Sequence, residues 1–202
     1  MTGRGRPRAF DRGAALEKAM QLFWERGYEG AAIGDLAAAM EINRPSLYAA
    51  FGCKEALFLE ATALYEEREG APLQKLLDEA PTAREGIEAH LRYNVGAYTD
   101  ASHPPGCFVV LASIIGTPDN AEIRAALARS RAEGEAVILA RIERGQAEGD
   151  VAASADARMI AAFYTTVTHG LSIQARDGVG RNGLDRIVDA AMAAWPALAG
   201  KP

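Results

Sequence analysis

Residues 31–58 read AAIGDLAAAMEINRPSLYAAFGCKEALF, and the way this stretch divides into short apolar-periodic pieces decides the fold class. Ile33, Leu36, Ala37 and Met40 recur at the spacing that puts apolar side chains on one side of an α-helix. Glu41-Ile42-Asn43 interrupts the pattern, and Asn43 is a good N-cap for a second helix. A capping oxygen accepts from a free N–H in the first turn. Pro45 has none, so Ser46 is the expected donor. Proline is tolerated there because first-turn N–H groups have no partner inside the helix. The stretch therefore predicts a very short helix, a turn, and a second short helix over about 44–50.

Outward from this core the same periodicity continues. Leu16, Ala19, Met20 and Phe23 share one face of a helix expected over about 11–26, closed by Gly27. Lys54 to Glu69 forms a longer helix whose Leu57, Ala61, Leu64 and Tyr65 share a face, with its end expected near Gly70-Ala71-Pro72. Further helices are predicted near 82–99, 106–116, 120–148, 156–176 and 184–197, with Asp119 and Glu122 making a capping-box-like start for the longest. Nothing alternates at period two for long enough to be a strand. The expected fold is all-α, with residues 1–54 as one domain and 55–202 as a second, larger one.

Composition narrows the class further. At 202 residues and 49% hydrophobic, the chain can bury a substantial core, which excludes disorder over most of its length. Cys53 and Cys107 are far apart, with no second Cys at ligand spacing beside either, so neither a disulfide framework nor a structural zinc site is expected. No apolar leader or spanning segment is visible, and a cytoplasmic protein without a membrane partner is expected. The net charge of −5 argues against nucleic-acid binding along the whole chain. It hides an asymmetry. Residues 1–54 carry eight Lys and Arg against six Asp and Glu, a net of +2, whereas residues 55–202 carry a net of −7. A small basic head joins an acidic body.

Two short helices joined by a tight turn, the second capped by Asn and bearing Arg, Ser and Tyr near its start, fit a helix-turn-helix. In that arrangement the second helix enters the major groove and its N-terminal residues face the base edges. Asn43, Arg44, Pro45 and Ser46 then occupy the reading end, with Arg44 able to pair guanine bidentately. Tyr48 and Lys54 are placed for phosphates, Lys54 beside the free N–H groups that open the next helix. Short helix pairs also occur in plain bundles. The alternative is an all-helical interaction module whose basic head binds an acidic protein surface.

Ala31 to Ala37, Ile42 to Tyr48 and Phe51-Gly52-Cys53-Lys54-Glu55-Ala56-Leu57-Phe58 together resemble the N-terminal domain of TetR-type transcriptional regulators. The resemblance covers about residues 10–58, and the later helices match the family's ligand-binding domain in number and length only. It implies an all-helical homodimer that binds a double-stranded DNA operator and releases it when a small-molecule effector occupies the second domain. By position, Asn43, Arg44, Pro45, Ser46 and Tyr48 fall on the recognition helix, Lys54 on a phosphate-contacting helix start, and Leu36, Ala37, Leu47 and Phe51 on the core. One departure stands out: Ala31-Ala32 replaces the usual Thr or Ser before the second helix. Losing such a cap costs about 0.5–2 kcal/mol, and Gly34 in place of Ala roughly 1 more. The arm Gly3-Arg4-Gly5-Arg6-Pro7-Arg8 contains the Arg-Gly-Arg-Pro core of AT-hook peptides, from which Arg4 and Arg6 are expected in an adjacent minor groove; non-specific attraction of a basic tail is the alternative.

The other signals are weaker. Gly178-Val179-Gly180-Arg181-Asn182-Gly183 matches the dinucleotide fingerprint, but a helical segment precedes it where a strand is needed, so a loop and no cofactor are expected. No catalytic motif appears and the three histidines are scattered, so an enzyme is not expected. Tyr93, Cys107, Phe108, Phe163 and His169 offer a few polar groups in apolar surroundings, the make-up of an effector pocket. Cys107 is expected at a helix start, where a lowered thiol pKa would permit redox or electrophile sensing, but a buried inert thiol is the preferred reading. Phe163 and Val167, with Leu184, Ile187, Val188, Ala191, Met192 and Trp195, form apolar stripes that intramolecular core explains in large part and that also suit the dimer interface the TetR resemblance implies; Trp195 is either an anchor or a core residue.

Overall fold

The computed structural model describes residues 10–112 and 120–200. Its described residues form helices and no strand: α1 (Arg12–Gly30), α2 (Ile33–Ala39), α3 (Arg44–Phe51), α4 (Lys54–Glu79), α5 (Ala83–Tyr98), α6 (Phe108–Leu111), α7 (Ala121–Glu148), α8 (Ala157–Arg176), α9 (Arg181–Ala193) and α10 (Trp195–Ala199). The all-α expectation holds. None of these helices is long and apolar enough to cross a membrane.

Several boundaries move for physical reasons. Gly27 takes the left-handed conformation (φ 70°) expected of a helix stop, yet a further turn runs on to Gly30, placing the buried Tyr28 under the start of α4. The larger difference is at Pro72, where α4 continues to Glu79 instead of stopping. An interior proline costs about 3 kcal/mol, and tertiary contacts beyond it oppose that cost. Leu77 is fully buried, and the Arg144 guanidinium donates to the Asp78 carbonyl at 3.2 Å. Only Phe108–Leu111 of the helix expected over 106–116 is helical among the described residues. The expected capping role of Asp119 lies outside the described residues, and Asn120, the N-cap of α7, makes no side-chain capping bond. The final helix begins earlier than expected, at Arg181, and breaks at Ala194. Gly178, with φ 92°, makes the turn between α8 and α9, so the glycine-rich segment is an interhelical loop.

Two apolar cores organise the chain. One joins α1, α2 and α3 to the first half of α4, to α6 and to Ile123 and Leu127 of α7. Its centre is aromatic: Phe58 lies 5.0 Å from Phe23, 5.2 Å from Tyr28 and 5.3 Å from Phe108, ring centroid to centroid. The second core joins α5, α8, α9 and α10 to the later part of α7, with Tyr164 fully buried within it. Packing thus divides farther along than residue 54, since Phe58, Tyr65 and Phe108 belong to the core of the head. Head and body meet at further points. His103 stacks on Trp24 at 4.4 Å, and the Arg176 guanidinium donates to the Glu25 carbonyl.

Candidate nucleic-acid interface and effector cavity

The N-terminal pair of short helices is built as its sequence dictates. Asn43 Oδ1 accepts from the Ser46 N–H at 2.8 Å, and Pro45 sits in the first turn. Leu47 and Phe51 point inward and lock α3 onto the head, which leaves Asn43, Arg44, Pro45 and Tyr48 exposed on the opposite side, with Ser46 partly covered. Tyr48 is 48% exposed, an unusual state for a large aromatic without a partner. Upstream, Ala32 gives α2 no side-chain cap, as its sequence requires. Arg26 pairs with Asp35 at 2.9 Å across the same turn.

Gly34 has a role that sequence alone did not reveal. The Arg44 guanidinium lies directly over it, and a Cβ at position 34 would come within 2.7 Å of Arg44 Nη2. The missing side chain is the space in which the arginine rests. Lys54 is also held in place: its ammonium sits 4.4 Å from the centre of the Tyr28 ring, and Tyr28 donates to Glu55 Oε1 at 2.7 Å. Partial burial lowers the Lys54 pKa, while Glu29 and Glu55 act in the opposite direction. Arg12 completes the frame, stacked over Phe51 at 4.4 Å and paired with Glu60 at 2.7 Å. Arg44 and Lys54 therefore open α3 and α4, and Tyr48 stands one turn into α3. Arg4 and Arg6 lie outside the described residues.

The body holds a cavity of about 300 Å³, open to one side, between α4, α5, α6, α7 and α8. Of the expected pocket residues, Cys107 and His169 line it. The other three do not. Phe108 is turned into the aromatic core of the head, Phe163 packs edge-on against Tyr164 at 5.0 Å, and Tyr93 reaches only the rim, donating to Glu69 at 3.3 Å. The missed residues include His90, Asn94 and Tyr98 of α5, one inward stripe at i, i+4 and i+8, and Thr165 and Thr168 of α8. Cys107 has a buried environment rather than an activated one. It accepts a hydrogen bond from the Tyr65 hydroxyl at 3.3 Å, but burial outweighs such contacts and raises its pKa. A single-turn α6 offers too little dipole to reverse that. Burial likewise lowers the His169 pKa and holds that of His90 at about 4.

The expected dimer stripe needs correction as well. Leu184, Val188, Ala191, Met192 and Trp195 are buried within the chain's own second core, Trp195 lying 5.7 Å from Tyr164. The stripe was too wide, because an amphipathic helix presents both an inward row and its flank. The apolar surface left outside is a different set: Met159 and Ile173 on α8 and Ile187 on α9 are exposed, with Phe163 and Val167 half-buried between them.

A capped helix exposing Arg, Pro and Tyr, held at a fixed angle by a three-helix head above a cavity-bearing body, defines a helix-turn-helix transcriptional regulator. Residues 15–61 match the family model for bacterial regulatory proteins of the tetR family. The chain is 33% identical to the HTH-type transcriptional repressor ComR of Escherichia coli K12, over 96% of this chain and 93% of that protein. It is 29% identical to the repressor BdcR of the same organism, over 86% and 83%. Among solved structures, a cysteine mutant of the TetR family regulator CifR, complexed with 26-bp double-strand operator DNA, superposes with a TM-score of 0.92. That protein shares 50% identity over 95% of this chain and all of its own. The chain belongs to the TetR family of bacterial transcriptional regulators. Between a regulator and a helical interaction module, the comparisons decide for the regulator.

Proposed function

We propose that this chain is a cytoplasmic, homodimeric repressor that binds a palindromic DNA operator through residues 1 to about 54 and is released by a small molecule held in residues 55–202. The observation that carries the DNA reading is the state of α3: pre-capped by Asn43, anchored by Leu47 and Phe51, and exposing Arg44, Pro45 and Tyr48. The operator complex of CifR, a protein of the same fold at 50% identity, supports it. Arg44 reads a base edge, with Asn43, Pro45 and Ser46 beside it, Tyr48 and Lys54 hold phosphates, and Arg4 and Arg6 reach an adjacent minor groove. The apolar surface of Met159, Phe163, Val167, Ile173 and Ile187 pairs with its twofold mate, so that two recognition helices stand about one DNA turn apart. Effector binding spreads the heads, and DNA and effector then oppose each other reciprocally.

Selection of genomic fragments by the purified chain at about 150 mM salt tests this reading. An inverted repeat should emerge, and Arg44→Ala should relax the preference at one base pair of each half-site by about 1–3 kcal/mol. A strictly monomeric chain, or one that prefers no fragment over random duplex, would overturn it.

A further inference from the structure

Three polar atoms in the wall of the body's cavity have no hydrogen-bond partner among the described residues: Glu66 Oε1, His90 Nδ1 and Thr165 Oγ1. They come from α4, α5 and α8, three separate helices that surround one space. Buried polar groups in folded proteins are almost always paired, and each unpaired one costs about 1–3 kcal/mol. His90 and Thr165 are more than nine-tenths buried, with relative exposures of 8% and 7%. The neighbouring polar groups are already committed: Tyr65 to Cys107, Glu69 to Tyr93, Ser130 to the Ala126 carbonyl and Thr168 to the Tyr164 carbonyl. Among the described residues, the lining atoms that are buried and wholly without a partner are therefore these three, and they border one space.

Its chemistry is that of an acceptor set. A carboxylate oxygen only accepts, a hydroxyl accepts as well as donates, and a neutral imidazole accepts at whichever ring nitrogen lacks the proton. Burial keeps His90 neutral, so no positive charge from that ring offsets Glu66. Across the whole lining, Glu66, Glu69 and Glu133 face a lone arginine, Arg131, which leaves an excess of negative charge. An anionic ligand would meet repulsion, and a neutral one would leave the Glu66 charge uncompensated. The rest of the wall is apolar, with Val109, Val110, Val137 and Ile138. A cavity of about 300 Å³ stands at the lower end of small-molecule sites, which suits an occupant of one or two rings or a short chain.

Resting on the reading of this cavity as the effector site, we propose that it takes a small, largely apolar organic amine, bound as its ammonium. The N–H donors serve Glu66, His90 and Thr165, and the hydrocarbon part lies against Val109, Val137 and Ile138. An ammonium supplies the counter-charge and more than one donor at once, whereas an alcohol supplies a single donor and no charge.

The test uses the full-length protein, calorimetric titration, and 2-phenylethylamine beside its neutral and anionic analogues, 2-phenylethanol and phenylacetate. The amine should bind at least tenfold more tightly than the alcohol, and phenylacetate should bind most weakly. Glu66→Gln, which keeps shape and removes charge, should abolish the tenfold preference, and Thr165→Val should weaken the amine several-fold, with unchanged circular dichroism confirming the fold of each. Equal binding of amine and alcohol, undiminished amine binding to Glu66→Gln, or no amine binding at millimolar concentration would overturn the ligand class. A separate readout addresses the underlying reading: amine bound with the Glu66 dependence but without effect on operator affinity would overturn the effector role and uphold the site.

Discussion

Replacing Gly34 by Ala should push stability and DNA recognition in opposite directions. Gly34 has no positive φ, so alanine is conformationally allowed there. In a helix alanine is favoured over glycine by up to about 1 kcal/mol. The gain falls on α2, a short helix without a side-chain cap. The new Cβ would stand 2.7 Å from Arg44 Nη2, below any tolerable contact. The far end of a long side chain yields cheaply, so the fold survives and the guanidinium moves. An arginine–guanine pair contributes about 1–3 kcal/mol of discrimination, and losing its resting place should remove roughly 1 kcal/mol of that, a five- to tenfold weaker operator complex. Urea unfolding and fluorescence anisotropy with labelled operator, at one fixed salt concentration, measure the two effects. The double variant Gly34→Ala/Arg44→Ala closes the cycle: in the Arg44→Ala background the alanine should have no further effect on binding. Unchanged operator affinity in Gly34→Ala, or an equal loss on random duplex, would refute the idea that Gly34 positions Arg44.

The geometry leads to three further expected outcomes. His90, held near pKa 4 against an ordinary 6.5, binds its proton in the unfolded chain before the native one. Its contribution is present above pH 6.5 and is lost as pH falls towards 4, by up to about 3 kcal/mol. Denaturation midpoints across that window should fall less steeply in His90→Gln, and parallel profiles would contradict the assignment. Lys54→Met should weaken operator binding on all sequences alike and lower the slope of log affinity against log salt by about 1; a sequence-selective loss would place Lys54 at a base instead. Ile187→Asp should dissociate dimers in sedimentation while preserving the helical signal, whereas Val188→Asp, one residue on but buried, should unfold the chain; a variant dimer at Ile187 would move the interface elsewhere.

The head was legible because its determinants are local. Asn43, Pro45 and the apolar positions of α2 and α3 act within a few residues of each other, and α3 forms as their chemistry requires. The end of α4 was not legible. Pro72 is a true local breaker, overruled by Leu77 and Arg144 contacts that only the tertiary fold brings together. The cavity was partly legible for a similar reason. Aromatic character picked out Tyr93, Phe108 and Phe163, but helix phase decides what faces inward. Phe163 and Thr165 are two residues apart, hence on nearly opposite sides of α8, and Thr165 is the one that lines the space. The stripe His90, Asn94, Tyr98 was readable in principle, as polar residues at helical spacing beside the apolar row Ile87, Leu91, Val95. The position of Gly34 beneath Arg44 depends on how α2 crosses α3, which no single-helix pattern encodes.

The ring cluster around Phe58 has a practical consequence for engineering. Because Trp24, Phe58, Tyr65 and Phe108 form one set of touching rings, the reading head has no self-sufficient interior of its own. Transplanting residues 1–54 onto another regulator's body would cut through that set. A working chimera would have to carry over the first half of α4 and the short α6 turn as well, so modular exchange of operator specificity in this protein has to follow its aromatic seam.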